Sequence, residues 1–314
     1  MQRAEKPKRV TIVGGNGLMG RFLADRLKHF GHEVRLFGRK DWERAETFFT
    51  DADLVIVGVP IGRTLEVIGQ LAPFLKGRVP LADITSLKTP YVRAMLERHA
   101  GPVLGLHPMF GPGVKSFLAQ RVIACEGRAR EQFDWFLRLI AEDGGQVVWA
   151  TPEEHDRMMT IVQAVRHFAG MALGYFMSQE GLDLGKSLEF ASPVYRLELD
   201  IVGRLFAQDP GLYADIMLAT PERREAIGRM ARTCGELAEV VGRGDRAELI
   251  ERFENTQRFF GPEAGRSLEE SAYLIDVLSE RLARRAGADS DSGEVNTPTV
   301  KARVPSDGIR MSCD

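Results

Sequence analysis

Cysteine is scarce in this chain of 314 residues, which has only Cys125, Cys234 and Cys313. An odd number of widely spaced cysteines without a CxxC pair argues against a disulfide framework and against a zinc site, so we expect no metal. The same pattern fits a reducing compartment such as the cytoplasm. The sequence also lacks a basic start followed by an apolar segment, and it lacks a run of 18 apolar residues, so neither export nor membrane insertion is indicated.

The sequence also lacks an excess of charge of one sign, since its 42 Lys and Arg residues nearly balance its 44 Asp and Glu residues. Without a strong net field the protein has no general attraction for nucleic acid or for an anionic membrane. Its hydrophobic content of 44% is ordinary for a globular protein, and its length allows two domains. We therefore expect a small polar ligand rather than a nucleic acid or membrane partner.

Seven short runs rich in Val, Ile and Leu alternate with amphipathic stretches in the first half of the sequence. They are Val10–Val13, Val34–Phe37, Leu54–Val59, Leu81–Ile84, Val103–Leu106, Val122–Cys125 and Val147–Ala150. This alternation predicts an α/β fold with a doubly wound, mainly parallel (Rossmann) sheet covered on both faces. Ligands of such sheets bind outside the carboxyl ends of the strands.

From Thr151 the pattern becomes helical. Thr151-Pro-Glu-Glu154 is a capping box with proline at the first helical position, and an apolar period of 3.6 follows it. Further helix starts are predicted at Thr220-Pro221 and at Asp245, and Gly261 is expected to end the latter helix. We predict a dinucleotide-binding domain over 1–150, a helical substrate and dimerisation domain over 151–285, and a disordered tail over 286–314, where aromatic residues are missing.

A glycine-rich loop follows the first predicted strand and opens an amphipathic helix. A GxGxxG spacing in this place lets backbone N–H groups approach a pyrophosphate, while the helix N-terminus adds a partial positive charge. The alternative is a plain tight turn. The candidate cofactor-binding residues are Gly15, Asn16, Gly17, Leu18, Met19 and Gly20.

The end of the second predicted strand reads Phe37-Gly-Arg39-Lys40, where enzymes that use NAD carry an acid that holds the ribose hydroxyls. A glycine with two cations is suited to a ribose 2′-phosphate, which favours NADP over NAD. The alternative is that Arg39 and Lys40 are solvated while Asp41 holds the ribose. Pro60, after the third strand, is a further cofactor-binding candidate.

His107 ends an apolar run and precedes Pro108, which confines it to an extended backbone. We expect it on a rigid loop at the carboxyl edge of the sheet. An imidazole there can accept the proton of a substrate hydroxyl while the neighbouring carbon gives up a hydride. The alternative is a structural histidine that donates to a backbone carbonyl.

Other polar residues stand where packing alone does not explain them. Ser86 and Lys88 follow the fourth strand and could bind substrate oxygens or the nicotinamide ribose; otherwise Ser86 caps a helix and Lys88 is solvated. One face of an apolar helix carries Gln163, Arg166 and His167, which is costly unless they line a polar cavity. A stripe at four-residue intervals holds Arg196, Asp200 and Arg204, for which an exposed ion-pair ladder is the simpler explanation.

With these residues in hand, the sequence from about Val10 to Leu278 resembles prephenate dehydrogenase of the tyrosine pathway, and in particular the enteric type that elsewhere is fused behind a chorismate mutase domain. The resemblance rests on four strings: GGNGLMGR, VLGLHPMFGP, SPVYRLELDIVGRLFAQDP and LYADI. It implies that His107 hydrogen-bonds the 4-hydroxyl of prephenate and promotes hydride transfer, that Arg204 binds a substrate carboxylate, and that Ser86 and Lys88 lie in the active site. The further substrate-binding candidates are Arg196, His167, Gln163, Gln208 and Tyr213.

The resemblance also implies a cytoplasmic homodimer built through the helical domain and often inhibited by tyrosine, with His167 near the inhibitor-sensitive pocket. Two departures stand out. Only about eight residues precede the first strand, so we expect another protein to supply the mutase step, and Gly38-Arg39 replaces the acid of relatives that use NAD. The alternatives are an arogenate dehydrogenase, a 4-amino-4-deoxyprephenate dehydrogenase, and a non-catalytic NADP-sensing regulator, which would not need Ser86, His107 and Arg204 together.

Overall fold

A computed structural model describes residues 6–111 and 113–291, with side chains through 285. Seven strands form one sheet in the order β2-β1-β3-β4-β5-β6-β7. All neighbours are parallel except β5 and β6. The predicted mainly parallel sheet is thus confirmed. The strands are β1 (Arg9–Val13), β2 (Glu33–Phe37), β3 (Leu54–Val57), β4 (Leu81–Asp83), β5 (Val103–Pro108), β6 (Arg121–Arg128) and β7 (Gln146–Ala150).

Thirteen α-helices are found in the described residues. In the first half they are α1 (Leu18–His29), α2 (Ala45–Phe49), α3 (Thr64–Leu71), α4 (Thr89–Arg98) and α5 (Asp134–Glu142). The second half has α6 (Pro152–Met159), α7 (Arg166–Gln179), α8 (Leu184–Glu189), α9 (Pro193–Phe206), α10 (Pro210–Leu218), α11 (Pro221–Gly242), α12 (Arg246–Phe260) and α13 (Pro262–Asp291). The predicted change to a helical second half is confirmed.

Helices cover both faces of the sheet, as a doubly wound fold requires. One core cluster includes Phe37, Phe49 and Met95, and the other includes Leu27 and Phe136. Strand β3, which lies between β1 and β4, is buried along its whole length. Near-continuous apolar runs follow from this double covering, because neither face of a central parallel strand meets water.

The predicted helix starts are confirmed in detail. The Thr151 hydroxyl accepts a hydrogen bond from the Glu154 N–H at 3.1 Å, and Thr220 caps α11 in the same way. Gly261 has a φ of +52°, a left-handed conformation that ends α12 without a Cβ penalty.

The helical half contains a π-helical segment that the sequence pattern does not predict. Residues Thr160–Val165, between α6 and α7, form a π-helical segment. Short π segments insert one residue into the helical turn and are frequent at functional sites. The insertion rotates Gln163 relative to the α-helical register that the sequence analysis assumed for Gln163, Arg166 and His167.

The described residues form two compact units. The first runs to Leu182 and takes in Ile201–Arg246, and the second comprises Asp183–Asp200 and the residues from Ala247 onward. The domain division at residue 150 stays a prediction. The last helix continues past the predicted boundary at 285 to Asp291, and the remainder of the predicted tail, 292–314, lies outside the described residues. No helix within the described part is long and apolar enough to cross a membrane.

Candidate active site

The glycine loop connects β1 to α1 in the way the sequence predicts. Gly17 precedes α1 with an extended backbone, and it has no side chain to cap the first N–H groups of the helix. A Cβ built on Gly20 would lie 2.6 Å from the Gly15 Cα, so the helix can approach the loop this closely only with glycine at position 20. Asn16, Gly17 and Leu18 are exposed. This arrangement fits a dinucleotide pyrophosphate, for which the unpaired N–H groups are the natural ligands.

The turn after β2 carries Arg39, Lys40 and Asp41, and their contacts bear on whether the cations or Asp41 would meet the cofactor. Asp41 accepts a hydrogen bond from the Gly38 N–H at 2.8 Å and pairs with Arg44 at 3.0 Å, so its carboxylate already stabilises the turn. Arg39 and Lys40 are exposed. Pro60, exposed after β3, precedes a 3₁₀ turn and accepts a hydrogen bond from the Thr64 hydroxyl through its carbonyl. The arrangement favours a ligand that meets the cations rather than Asp41.

His107 differs in placement from the expected loop, because it is the fifth residue of β5 and pairs with Ile123 of β6. Its side chain is 4% exposed. Burial lowers the pKa of His107 well below its ordinary value, and the charges of His155, Lys88 and Arg223 lower it further. The imidazole is therefore neutral near pH 7, the state that a general base needs.

Two polar groups hold the His107 ring from opposite sides. Its Nδ1 lies 2.8 Å from the Nε2 of His155, and its Nε2 lies 3.1 Å from the Gln163 amide nitrogen. His155 is 1% exposed, and its own Nδ1 lies 2.8 Å from an Asp156 carboxylate oxygen. The alternative of a histidine bonded to a backbone carbonyl does not describe this geometry.

Asp156 joins this cluster to the start of α4. Its carboxylate accepts the Lys88 N–H at 2.8 Å and the Thr89 N–H at 2.9 Å. Burial by itself would raise the pKa of Asp156, but the hydrogen bonds from His155, Thr89 and Lys88 together lower it. Asp156 is therefore ionised near neutral pH.

Ser86 and Lys88 lie close to this cluster in different ways. Ser86 is 9% exposed, and its carbonyl accepts a hydrogen bond from the buried Arg223 at 3.0 Å. The Lys88 ammonium is fully buried, pairs with Asp83 and donates to the Leu106 carbonyl at 2.8 Å. The alternative of a solvated Lys88 is wrong, because its ammonium is buried and paired with Asp83, whereas its role in the active site stays a prediction. Lys88 instead ties β4 to β5 next to His107.

Arg204 and Gln208 lie beside the loop that follows β5. A Cβ built on Gly111 would be 4.0 Å from both the Arg204 Nη2 and the Gln208 Oε1. Arg204 is exposed. The Gln208 amide donates a hydrogen bond to the Arg204 carbonyl at 2.9 Å. Pro112, the last residue of the VLGLHPMFGP string, lies outside the described residues. Arg204 is thus brought to the segment that carries His107.

His167 and Tyr213 pack edge to face, with ring centroids 4.8 Å apart. The Nη1 of Arg166 lies 3.3 Å from the His167 Nδ1. Burial together with Arg166 and Arg223 lowers the pKa of His167 to about 4. Arg196 belongs to the second compact unit, so its part in binding substrate stays a prediction.

Sequence reasoning missed His155, Asp156 and Arg223. A signal was available for His155, which precedes Gln163 by eight residues, a spacing that would put both on the same side of an ideal α-helix. Arg223 carried no such signal, because an arginine in the first turn of an amphipathic helix is ordinarily solvated.

A Rossmann-type sheet with a glycine loop, and a buried histidine at the same edge, are typical of oxidoreductases that use a nicotinamide dinucleotide. In the described residues no cluster of three or more His, Cys, Asp or Glu side chains could hold a metal. Two family models match the sequence: the nucleotide-binding domain of prephenate dehydrogenase over residues 36–149, and its dimerization domain over 151–255. The chain belongs to the prephenate dehydrogenase family.

Individual relatives agree with this assignment. A T-protein of Enterobacter agglomerans is 43% identical over 85% of this chain and 71% of its own length. A T-protein of Haemophilus influenzae is 40% identical over 87% of this chain and 72% of its own length. The crystal structure of Aquifex aeolicus prephenate dehydrogenase in complex with hydroxyphenyl propionate and NAD+ superimposes with a TM-score of 0.64 at 20% identity, covering 81% of this chain and 98% of that one. At this identity the structural likeness bears on the fold alone.

Proposed function

We propose that the protein oxidises and decarboxylates prephenate to 4-hydroxyphenylpyruvate in tyrosine biosynthesis, with His107 as the general base. Membership of the family supports the substrate. The observation that carries the proposal is the buried His107, held at the carboxyl edge of the sheet between His155 and Gln163. When bound, a nicotinamide dinucleotide supplies the acceptor for the hydride.

The residues of the chain divide the remaining work. His107 accepts the proton of the 4-hydroxyl, which lets the C4–O bond become a carbonyl as hydride leaves C4. Loss of CO2 then makes the ring aromatic, and this supplies the driving force. Ser86 would bind a substrate oxygen or the nicotinamide ribose. Arg204 binds a carboxylate and serves positioning more than bond breaking, because a strong grip on the departing group would favour the ground state. Gln208, Tyr213, Arg196 and His167 remain substrate-binding proposals.

The cofactor proposal is that the protein accepts both dinucleotides with a preference for NADP. Gly15, Gly17 and Gly20 would cradle the pyrophosphate, with Asn16, Leu18, Met19 and Pro60 beside it. Arg39 and Lys40 would meet the 2′-phosphate, since Asp41 is already engaged with the Gly38 N–H and Arg44.

We also propose a homodimer formed through the helical half and a location in the cytoplasm. The match to a dimerization domain over 151–255 supports the first proposal. The second rests on the scarcity of cysteine: Cys125 is free and buried, Cys234 is free and exposed, and Cys313 lies outside the described residues. We further propose, from the resemblance to the family, that tyrosine inhibits the protein by binding near His167.

The test is a two-by-two assay of prephenate and arogenate against NAD and NADP, read as absorbance at 340 nm and by identification of the product. We expect turnover of prephenate with both cofactors and 4-hydroxyphenylpyruvate as product. Faster turnover of arogenate would assign the protein to that substrate instead. The absence of reduced cofactor in all four combinations would favour the non-catalytic sensor.

A further inference from the structure

A line of hydrogen-bonded side chains leads away from the catalytic imidazole into the protein. It runs from Gln163 through His107 and His155 to Asp156, and its three contacts measure 3.1, 2.8 and 2.8 Å. We call these four side chains the imidazole relay. They come from β5, from α6 and from the π-helical segment, so only the folded protein assembles them.

The direction of each hydrogen bond in the relay follows from its buried end. Asp156 is ionised and can only accept, and it accepts the backbone N–H groups of Lys88 and Thr89. The third contact must therefore receive a proton from the His155 Nδ1. A neutral imidazole has one donor and one acceptor, so the His155 Nε2 is an acceptor.

The tautomer of His155 also fixes the tautomer of His107. Because the His155 Nε2 accepts, the His107 Nδ1 carries the hydrogen and the His107 Nε2 has the lone pair. The Gln163 amide nitrogen at 3.1 Å is a donor to that lone pair, which agrees with the assignment. The Gln163 Oε1 is buried without a hydrogen-bond partner among the described residues, so the amide has an acceptor to spare on the same side.

We propose that His155 and Asp156 are positioning residues that hold His107 in its Nδ1–H tautomer and thereby leave the Nε2 lone pair for the substrate hydroxyl, which takes the place of the Gln163 amide as donor when substrate binds. This inference rests on the proposed function for its chemistry. The substrate O–H bond breaks and an Nε2–H bond forms, while the oxygen electron pair becomes the carbonyl bond as hydride leaves C4. The proton returns to the ring oxygen when CO2 leaves and the ring becomes aromatic, so no other acid or oxidant is needed.

The relay also explains why the ionised carboxylate of Asp156 lies two hydrogen bonds away from the base. As His107 gains a proton, its Nδ1–H bond to His155 strengthens, and the Asp156 charge stabilises the imidazolium through the intervening ring. The Lys88 ammonium does not neutralise Asp156, because it pairs with Asp83 instead. Asp156 is thus available to the relay, and its backbone contacts anchor it next to the segment that carries Ser86.

The first arm of the test compares two substitutions at one position. His155→Phe keeps a ring but removes the acceptor for the His107 Nδ1–H, so His107 should switch to the Nε2–H tautomer with the Gln163 Oε1 as its new acceptor. His155→Gln, the matched control, keeps an oxygen acceptor and should keep the tautomer. The measurement is ¹⁵N NMR of the full chain labelled at histidine nitrogens, with the His107 signals assigned from His107→Asn.

The second arm is kinetic. We expect His155→Phe to lower kcat for prephenate about 10²-fold, the value of a general base, with KM changed less than about threefold because His155 does not touch substrate. His155→Gln should retain most of kcat. If His155→Phe does not fold, Asp156→Ala replaces it, and we expect a mixture of His107 tautomers and a lower kcat.

The outcomes separate the inference from the proposed function. A wild-type His107 protonated at Nε2, or an unchanged tautomer in a folded His155→Phe protein, overturns the relay. A switched tautomer with unchanged kcat shows that His107 is not the base, which overturns the proposed function while the tautomer assignment stands. A switched tautomer with reduced kcat, restored in His155→Gln, supports both.

Discussion

The carboxyl edge of the sheet is built in two contrasting ways. At β1 and β2 the candidate cofactor site consists of backbone, glycines and exposed cations from one short stretch of sequence. At β5 the candidate base site consists of buried side chains, and His107 contacts residues 48 and 56 positions further along. A site built from local backbone can be recognised from a motif, whereas a site built from distant side chains depends on the fold. The contrast also predicts different sensitivities to substitution.

The largest effect is expected at the base itself. His107→Asn removes the proton acceptor but keeps a polar side chain of smaller size, and we expect kcat to fall by ~10²–10⁴-fold while substrate still binds. Steady-state kinetics with prephenate, together with a binding titration, would measure it. An unchanged kcat would place the base elsewhere. The matched control is His29→Asn, on the outer surface of α1, which should leave kcat as it is.

The cofactor site is most sensitive where the backbone comes closest. Gly20→Ala places a Cβ 2.6 Å from the Gly15 Cα, so the loop must shift, and we expect cofactor affinity to fall by about tenfold or more. Gly235→Ala is the control, because its Cβ meets nothing within 4 Å on α11. Isothermal titration with NADP would read both variants. Equal affinity in the two variants would contradict a close pyrophosphate cradle.

The pH dependence distinguishes a buried base from a solvated one. Since burial lowers the pKa of His107 well below 6.5, the ring stays neutral and competent as the pH falls through that value. We expect kcat/KM to stay level between pH 7 and 6, where a solvated histidine with the ordinary pKa would lose about two thirds of its neutral form. A profile with an acid limb centred near 6.5 would show that His107 titrates as if exposed.

Among the substitutions, the smallest effect is expected from those of the exposed cations. Arg39→Ala should raise KM for NADP by about tenfold and leave KM for NAD nearly unchanged, because only NADP carries the 2′-phosphate. Arg93→Ala on α4, where Arg93 pairs with Glu97, is the control for loss of a surface arginine. Equal changes in both KM values would mean that Arg39 does not read the phosphate.

Sequence reasoning recovered the sheet because its signals are local. All seven strands were predicted, as were the helix starts at Thr151 and Thr220 and the end at Gly261. It placed His107 on a loop, whereas the strand continues to Pro108, because a strand end depends on the length of its partner β6. It left open a solvated Lys88, which the structure corrects, because the burial of an ammonium depends on finding Asp83 across a turn.

The helical half shows the same limit. The spacing of Gln163, Arg166 and His167 was interpreted on an ideal α-helix, but the π-helical segment changes the register at Gln163. No residue type marks such a segment in sequence, because packing decides where the extra residue is accommodated.

By itself, then, the amino-acid order determined the doubly wound sheet, the glycine cradle and the family, because periodicity, turn chemistry and long motif strings are written in neighbouring residues. Only the tertiary structure decided which atoms surround His107 and which of its nitrogens has the lone pair, because buried hydrogen-bond partners converge from segments that are far apart in the chain.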